Sequence, residues 1–141
     1  MKLLAIPLIL IGISALAAQP STERNKEIVK NFYELAFNQH QPRQAALKYL
    51  SEGYKQHNPY VATGRQAFID AFAGEKDDGS AEFVRVIAED DLVVLHSHKH
   101  RHPRDLGVAG VDIFRVKDGK ITEHWDINQA IPEKSKNDMF N

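Results

Sequence analysis

Apolar and polar positions change period once along this chain, from helical spacing in the first half to strand alternation in the second. From Ser21 onward, Ile28, Val29, Phe32, Tyr33, Leu35 and Ala36 fall on one stripe at three- and four-residue spacing, and Ser21 or Thr22 is placed to cap the start. The pattern predicts a helix over 22–38. Pro42 suits a first helical position and opens a second short helix, with Ala46, Leu47 and Leu50 expected inward. Between Gly53 and Gly64 no period holds, and His57-Asn58-Pro59 favours an extended or turn geometry, so an irregular connection is expected. A third helix is expected over about 65–73, with Phe68, Ile69 and Phe72 apolar.

After Gly79 four segments rich in β-branched and aromatic residues follow: AEFVRVIA, LVVLHSHKHRH, GVAGVDIFRV and KITEHWDINQ. Turn signals separate them at Glu89-Asp90-Asp91, at Pro103 and at Lys117-Asp118-Gly119, the last a strong hairpin signal. Three helices followed by four strands in a meander predict an α+β fold, with the helices packed on one face of an antiparallel sheet.

Alternation sorts the polar groups by face within each strand. Leu92, Val94, His96, His98, His100 and His102 share one side of their strand, and Val93, Leu95, Ser97 and Lys99 the other. Asp112 and Phe114 oppose Val111, Ile113 and Arg115; His124, Asp126 and Asn128 oppose Trp125, Ile127 and Gln129. Two arrangements fit. If the helices cover the polar-bearing face, Asp112, Asp126 and His96 line a cavity and the apolar outer face calls for a partner such as a second copy. If they cover the other face, the same groups decorate a solvated surface. Interleaving with Phe114, Leu92 and Val94 favours the first, where Asp126 with Asp112 or His96 makes an acid/base set.

The alternating histidines of His96-Ser97-His98-Lys99-His100-Arg101-His102 invite a zinc reading, since His-x-His on a strand points two imidazoles one way. A catalytic zinc needs three convergent ligands, and this strand runs out toward Pro103, so His100 and His102 are read as solvated and no metal or other cofactor is expected. His57 is placed either at a pocket mouth or in a plain turn, and Arg115 is expected to pair with acidic groups on a neighbouring strand or across a dimer interface.

Composition limits the function classes. Hydrophobic residues make up 43% and charged residues 26%, which fits one folded domain rather than a disordered chain. The first residues, MKLLAIPLILIGISALAAQP, have a basic start at Lys2, an apolar run and an Ala-x-Ala exit, the form of a signal peptide over 1–17 cut after Ala17, or alternatively Ala18. A periplasmic or secreted domain over 18–141 follows, without a membrane anchor once the signal is cut; the rival reading, an uncleaved membrane anchor, is made the weaker one by Pro7, the short apolar run and the Ala-rich exit. Loss of Lys2 leaves 17 basic against 19 acidic residues, and no basic stripe marks a nucleic-acid footprint. Without cysteine there is no disulfide, thiol nucleophile or thiolate metal site.

The segments YKQHNP, LVVLHSH and VDIFRVKDGKITEHWDINQ together resemble the SnoaL-like polyketide cyclase group of the nuclear transport factor 2-like superfamily, over about 25–129. The resemblance implies a cone of three N-terminal helices on a strongly bent antiparallel sheet, with homodimers formed through the sheet. It also implies a metal-free acid/base role for Asp126 in an aldol-type cyclisation. Asp112 stands at a second pocket position that can be histidine in cyclases of this group, and an exported chain implies another substrate. The resulting expectation is a cofactor-independent lyase or isomerase acting on a small hydrophobic carbonyl compound, or a binding module using the same pocket. Asp126 removes a proton, His96 or protonated Asp112 stabilises the enolate, and His57, Phe114, His124 and Tyr54 line the substrate.

Overall fold

The computed structural model describes residues 21–74 and 78–141. The expected signal peptide lies outside the described residues. Among those residues no helix is long and apolar enough to cross a membrane.

Helix α1 (Ser21–Tyr33) buries Val29, Phe32 and Tyr33 as its stripe predicts, then widens into a π-helical turn, Glu34–Asn38, closed by the Gln39 N–H on Glu34 O at 2.9 Å. At the end of that turn the Asn38 amide pairs with the backbone of Ala81 at 2.8 and 3.0 Å, as a strand would, and so ties the helix to the sheet. Helix α2 (Pro42–Tyr49) starts at the proline, as expected. It buries Ala45 and Ala46 while Leu47 points to solvent, because a two-turn helix beside α1 has room for one narrow stripe of small residues. Helix α3 (Arg65–Phe72) buries Phe68 and Ile69.

Strands β2 (Ser80–Glu89), β3 (Leu92–His100), β4 (Val108–Lys117) and β5 (Lys120–Ala130) form the predicted meander. Asp118 and Gly119 turn between β4 and β5 with φ of 49° and 75°, the left-handed pair a two-residue hairpin requires. The expected irregular segment instead begins with a strand, β1 (Leu50–Gln56), which pairs parallel to β5 and makes the sheet mixed, in the order β1-β5-β4-β3-β2. It carries no clean alternation because it is an edge strand broken by a register shift between Leu50 and Lys55. The α+β class and the three helices on one sheet face agree with the sequence reading.

The helices cover the face that bears Asp112, Phe114 and His124, all buried. The register pairs Leu95 with Asp112 and His96 with Val111, so the inner face of β3 is Val93, Leu95, Ser97 and Lys99. His96 therefore lies on the opposite side of the sheet from Asp112 and Asp126, which corrects the expected grouping. Alternation fixes the two sides of one strand, whereas the phase between strands depends on the connection joining them.

Phe32 sits at the centre of the core, its ring within 6.5 Å of Tyr33, Phe37, Tyr49, Phe68 and Phe114. Phe32→Ala is expected to lower stability by about 3–5 kcal/mol, read as a lower urea midpoint at unchanged denaturant slope.

Candidate functional site

Three elements converge on Asp112, which is 1% exposed at the middle of β4. From β3, the Lys99 ammonium lies 3.1 and 2.9 Å from its two carboxylate oxygens. From α1, the Tyr33 hydroxyl donates to Oδ2 at 3.3 Å, and from β5, His124 Nε2 meets Oδ1 at 3.0 Å. Burial alone pushes the Asp112 carboxyl toward its neutral form, but the His124 hydrogen bond and the Lys99 charge outweigh it and hold it below the usual carboxylate range. Asp112 is thus an ionised acceptor, and the expected role of a protonated Asp112 as hydrogen-bond donor does not fit it. Lys99 reaches it across Gly110: a methyl group there would lie 2.3 Å from Lys99 Cε and 2.7 Å from Nζ.

The network continues into β1. His124 Nδ1 lies 2.8 Å from Gln56 Oε1, which already accepts from the Asn58 backbone N–H at 3.0 Å. That oxygen and the Asp112 carboxylate are both acceptors, so these two contacts are made together when both His124 nitrogens carry hydrogen. Gln56 Nε2 donates to the Tyr54 hydroxyl at 3.1 Å. Burial, followed by the Asp126 and Asp112 charges, raises the Tyr54 phenol well above its ordinary range, and burial with Asp112 does the same to Tyr33. Both remain protonated at neutral pH.

Asp126, half-buried, pairs in register with Asp112 across β4 and β5. Its partners are neutral amides: Asn58 Nδ2 donates to both oxygens at 2.8 and 2.9 Å, and Asn128 Nδ2 to Oδ2 at 2.8 Å. Asn58 Oδ1 in turn accepts from the Tyr60 backbone, which folds the loop after β1 over the carboxylate.

The expected residues therefore divide. Asp126, Asp112, His124, Phe114 and Tyr54 are brought together, with the Phe114 and His124 rings 4.6 Å apart. His96 and His57 are not part of this cluster: His96 contacts Arg85 and Phe140, and His57 stacks on Trp125 on the outer face. Arg115 pairs with Asp91 and Glu123, as expected. The sequence reading did not single out Lys99, Tyr33, Gln56 or Asn58; a lysine on the Val93-Leu95-Ser97 stripe facing Gly110 was the available signal for the first.

The histidine run is spread over separate partners. His98 meets Leu106 O, His100 meets Asp105 and His102 meets Asp78. The one convergent set of metal-type donors among the described residues is Asp112, His124 and Asp126, with atoms within 4.8 Å of one another. Lys99 and the His124 hydrogen bond occupy the Asp112 oxygens, so a cation would have to displace an ammonium to enter.

Lys99→Met removes one partner of a buried charge, and the expected cost is about 3–5 kcal/mol at pH 7. The sign follows from the lowered Asp112 value: its stabilisation is full above the unfolded carboxylate range and disappears as pH falls through the folded one. The deficit of the variant, measured by urea melts at pH 7 and again at acid pH, is therefore expected to shrink as the carboxyl is protonated.

The fold has parallels among known proteins. No curated protein matches the chain by sequence. Among solved structures, a candidate ketosteroid isomerase from Kribbella flavida superposes with a TM-score of 0.68 at 16% identity, covering 85% of this chain and 88% of that one. A candidate SnoaL-like polyketide cyclase from a Jannaschia species gives 0.64 at 17% identity, with 81% and 91% covered. An LEH-like epoxide hydrolase from Mycobacterium tuberculosis gives 0.65 at 16%, with 78% and 86% covered. At these identities the likeness is one of fold. The SnoaL-like domain model matches residues 29–124, more than half of the sequence, and the chain belongs to the SnoaL-like domain family.

Proposed function

We propose that this protein is a cofactor-independent acid/base enzyme that removes a proton α to the carbonyl of a small apolar compound, in a lyase or isomerase reaction. The observation that carries this reading is the unequal treatment of two adjacent carboxylates. Asp112 is paired with the Lys99 ammonium and hydrogen-bonded by His124, whereas Asp126 is oriented by neutral amides and stays half-buried. Asp126 is the proton acceptor in this scheme. Tyr54 accepts from Gln56 and has its own hydrogen to give, so it is the donor assigned to the developing enolate oxygen. The SnoaL-like match ends at His124, short of Asp126, so the assignment of Asp126 rests on the strand register and its partners.

The test is exchange of α-protons of small ketones such as cyclohexanone and acetylacetone in deuterated water, followed by proton NMR. Exchange above the buffer rate is expected, with Asp126→Asn lowering it by at least about a hundredfold. Equal rates for the two proteins, or no exchange of any ketone that binds, would overturn the reading. A second reading, a non-catalytic binding module, is favoured by the fact that each Asp126 oxygen already has an amide partner. It predicts ketone binding that survives Asp126→Asn, with no exchange by the native protein.

Export to the periplasm or medium belongs to the same proposal, as does pairing of two copies through the outer sheet face. Phe140 covers the His96–His98 end of that face, while Ile127, 75% exposed, and Val111 remain open. Ile127→Asp is expected to turn a dimer into a monomer in analytical ultracentrifugation, and a native protein that sediments as a monomer would remove the pairing.

A further inference from the structure

Trp125 is the chain's one tryptophan, and it carries a stack on the outer face of β5. The His57 ring lies parallel to it, with centroids 4.7 Å apart and 1° between the planes, and the Arg115 guanidinium carbon lies 5.8 Å from its ring centre. Glu123, two residues earlier on the same side of β5, accepts from both His57 Nε2 at 2.9 Å and Arg115 Nε at 3.1 Å. Arg115 is itself anchored by Asp91 at 2.8 and 2.9 Å. The His57 backbone N–H donates to His124 O at 2.9 Å, so both the ring and the main chain of this residue are fixed to β5.

The next residue is Asn58, whose side chain turns the other way and grips both oxygens of Asp126. One peptide unit thus joins an outer staple to the inner carboxylate. A ring stack and a charge-assisted hydrogen bond on a partly exposed histidine have little core to stabilise. Their geometric effect falls on Asn58.

We propose that His57 is a positioning residue: its hold on Trp125 and Glu123 from outside the sheet fixes Asn58 against Asp126 inside it. The inference rests on the reading of Asp126 as proton acceptor, but the linkage itself has readouts that need no substrate. Trp125 emission reports the stack. The Asn58 side-chain amide, identified in a nitrogen-correlated NMR spectrum by its loss in Asn58→Asp, reports the grip on Asp126.

His57→Ala is expected to change Trp125 emission and shift the Asn58 amide signal together. It is also expected to lower kcat for ketone exchange by about tenfold with KM little changed, the pattern of a misplaced catalytic group. His57→Phe retains a flat ring for Trp125 and is expected to recover most of the amide position and the rate. A thermal melt of each variant separates this from loss of fold. The proposal is overturned if Trp125 emission does not respond to His57→Ala, or if it responds while the Asn58 amide and kcat do not. Should Asp126→Asn leave exchange untouched, the functional reading falls instead, and the two spectroscopic readouts still decide the linkage.

Discussion

A carboxylate with 1% exposure is the constraint around which this fold is arranged. An isolated buried charge costs far more than a domain's whole stability margin, so Asp112 persists only with partners that meet its charge and its lone pairs. Those partners come from three other elements: Lys99 from β3, His124 from β5 and Tyr33 from α1. Gln56 of β1 enters one step further out, by meeting the far nitrogen of His124. The polar cluster thus does what an apolar core cannot, which is to fix the relative position of particular atoms on four elements rather than merely bury their surfaces.

The same requirement explains two local features. Gly110 leaves open the space through which Lys99 crosses β4, and any side chain there competes with the lysine for it. The parallel strand β1 places Gln56 opposite His124 in register. Without that strand the imidazole would face Asp112 on one side and nothing fixed on the other.

The sequence made the meander legible because β2 to β5 are long, rich in β-branched residues and bounded by turn residues. Asp118-Gly119 even specified the sign of φ at its hairpin. It left β1 illegible because an edge strand with a register break has no alternation to display. The error over His96 has a different origin. In β3 the inward residues are odd-numbered, whereas in β4 and the following Asp126 region of β5 they are even-numbered. This parity is set by the connection between β3 and β4, over 101–107, and no single strand contains it. Asp112 and Asp126 were grouped correctly because their pairing runs out from a two-residue hairpin, where turn length fixes phase, although the register shift at Arg115/Val116 still intervenes. Asn58 and Gln56 were missed because their roles come from partners 68 residues away, across a contact that only the assembled sheet creates.

Two carboxylates facing each other in register repel, and the surroundings resolve that repulsion unequally. A proton arriving on Asp112 would leave Lys99 facing a neutral group inside the protein, and hydrogen bonds to charged partners contribute about 1.5–3 kcal/mol each. The partners of Asp126 are instead the amides of Asn58 and Asn128, whose hydrogen bonds are to one ion rather than between two. The half-buried position also gives Asp126 the access that Asp112 lacks. On the proposed reading Asp126 is therefore the carboxylate offered for proton transfer, while Asp112 stays paired with Lys99 and His124. The two adjacent carboxylates thus differ in the charge of their neighbours: Asp112, at the centre of the network, faces an ammonium, and Asp126, nearer the surface, faces neutral amides.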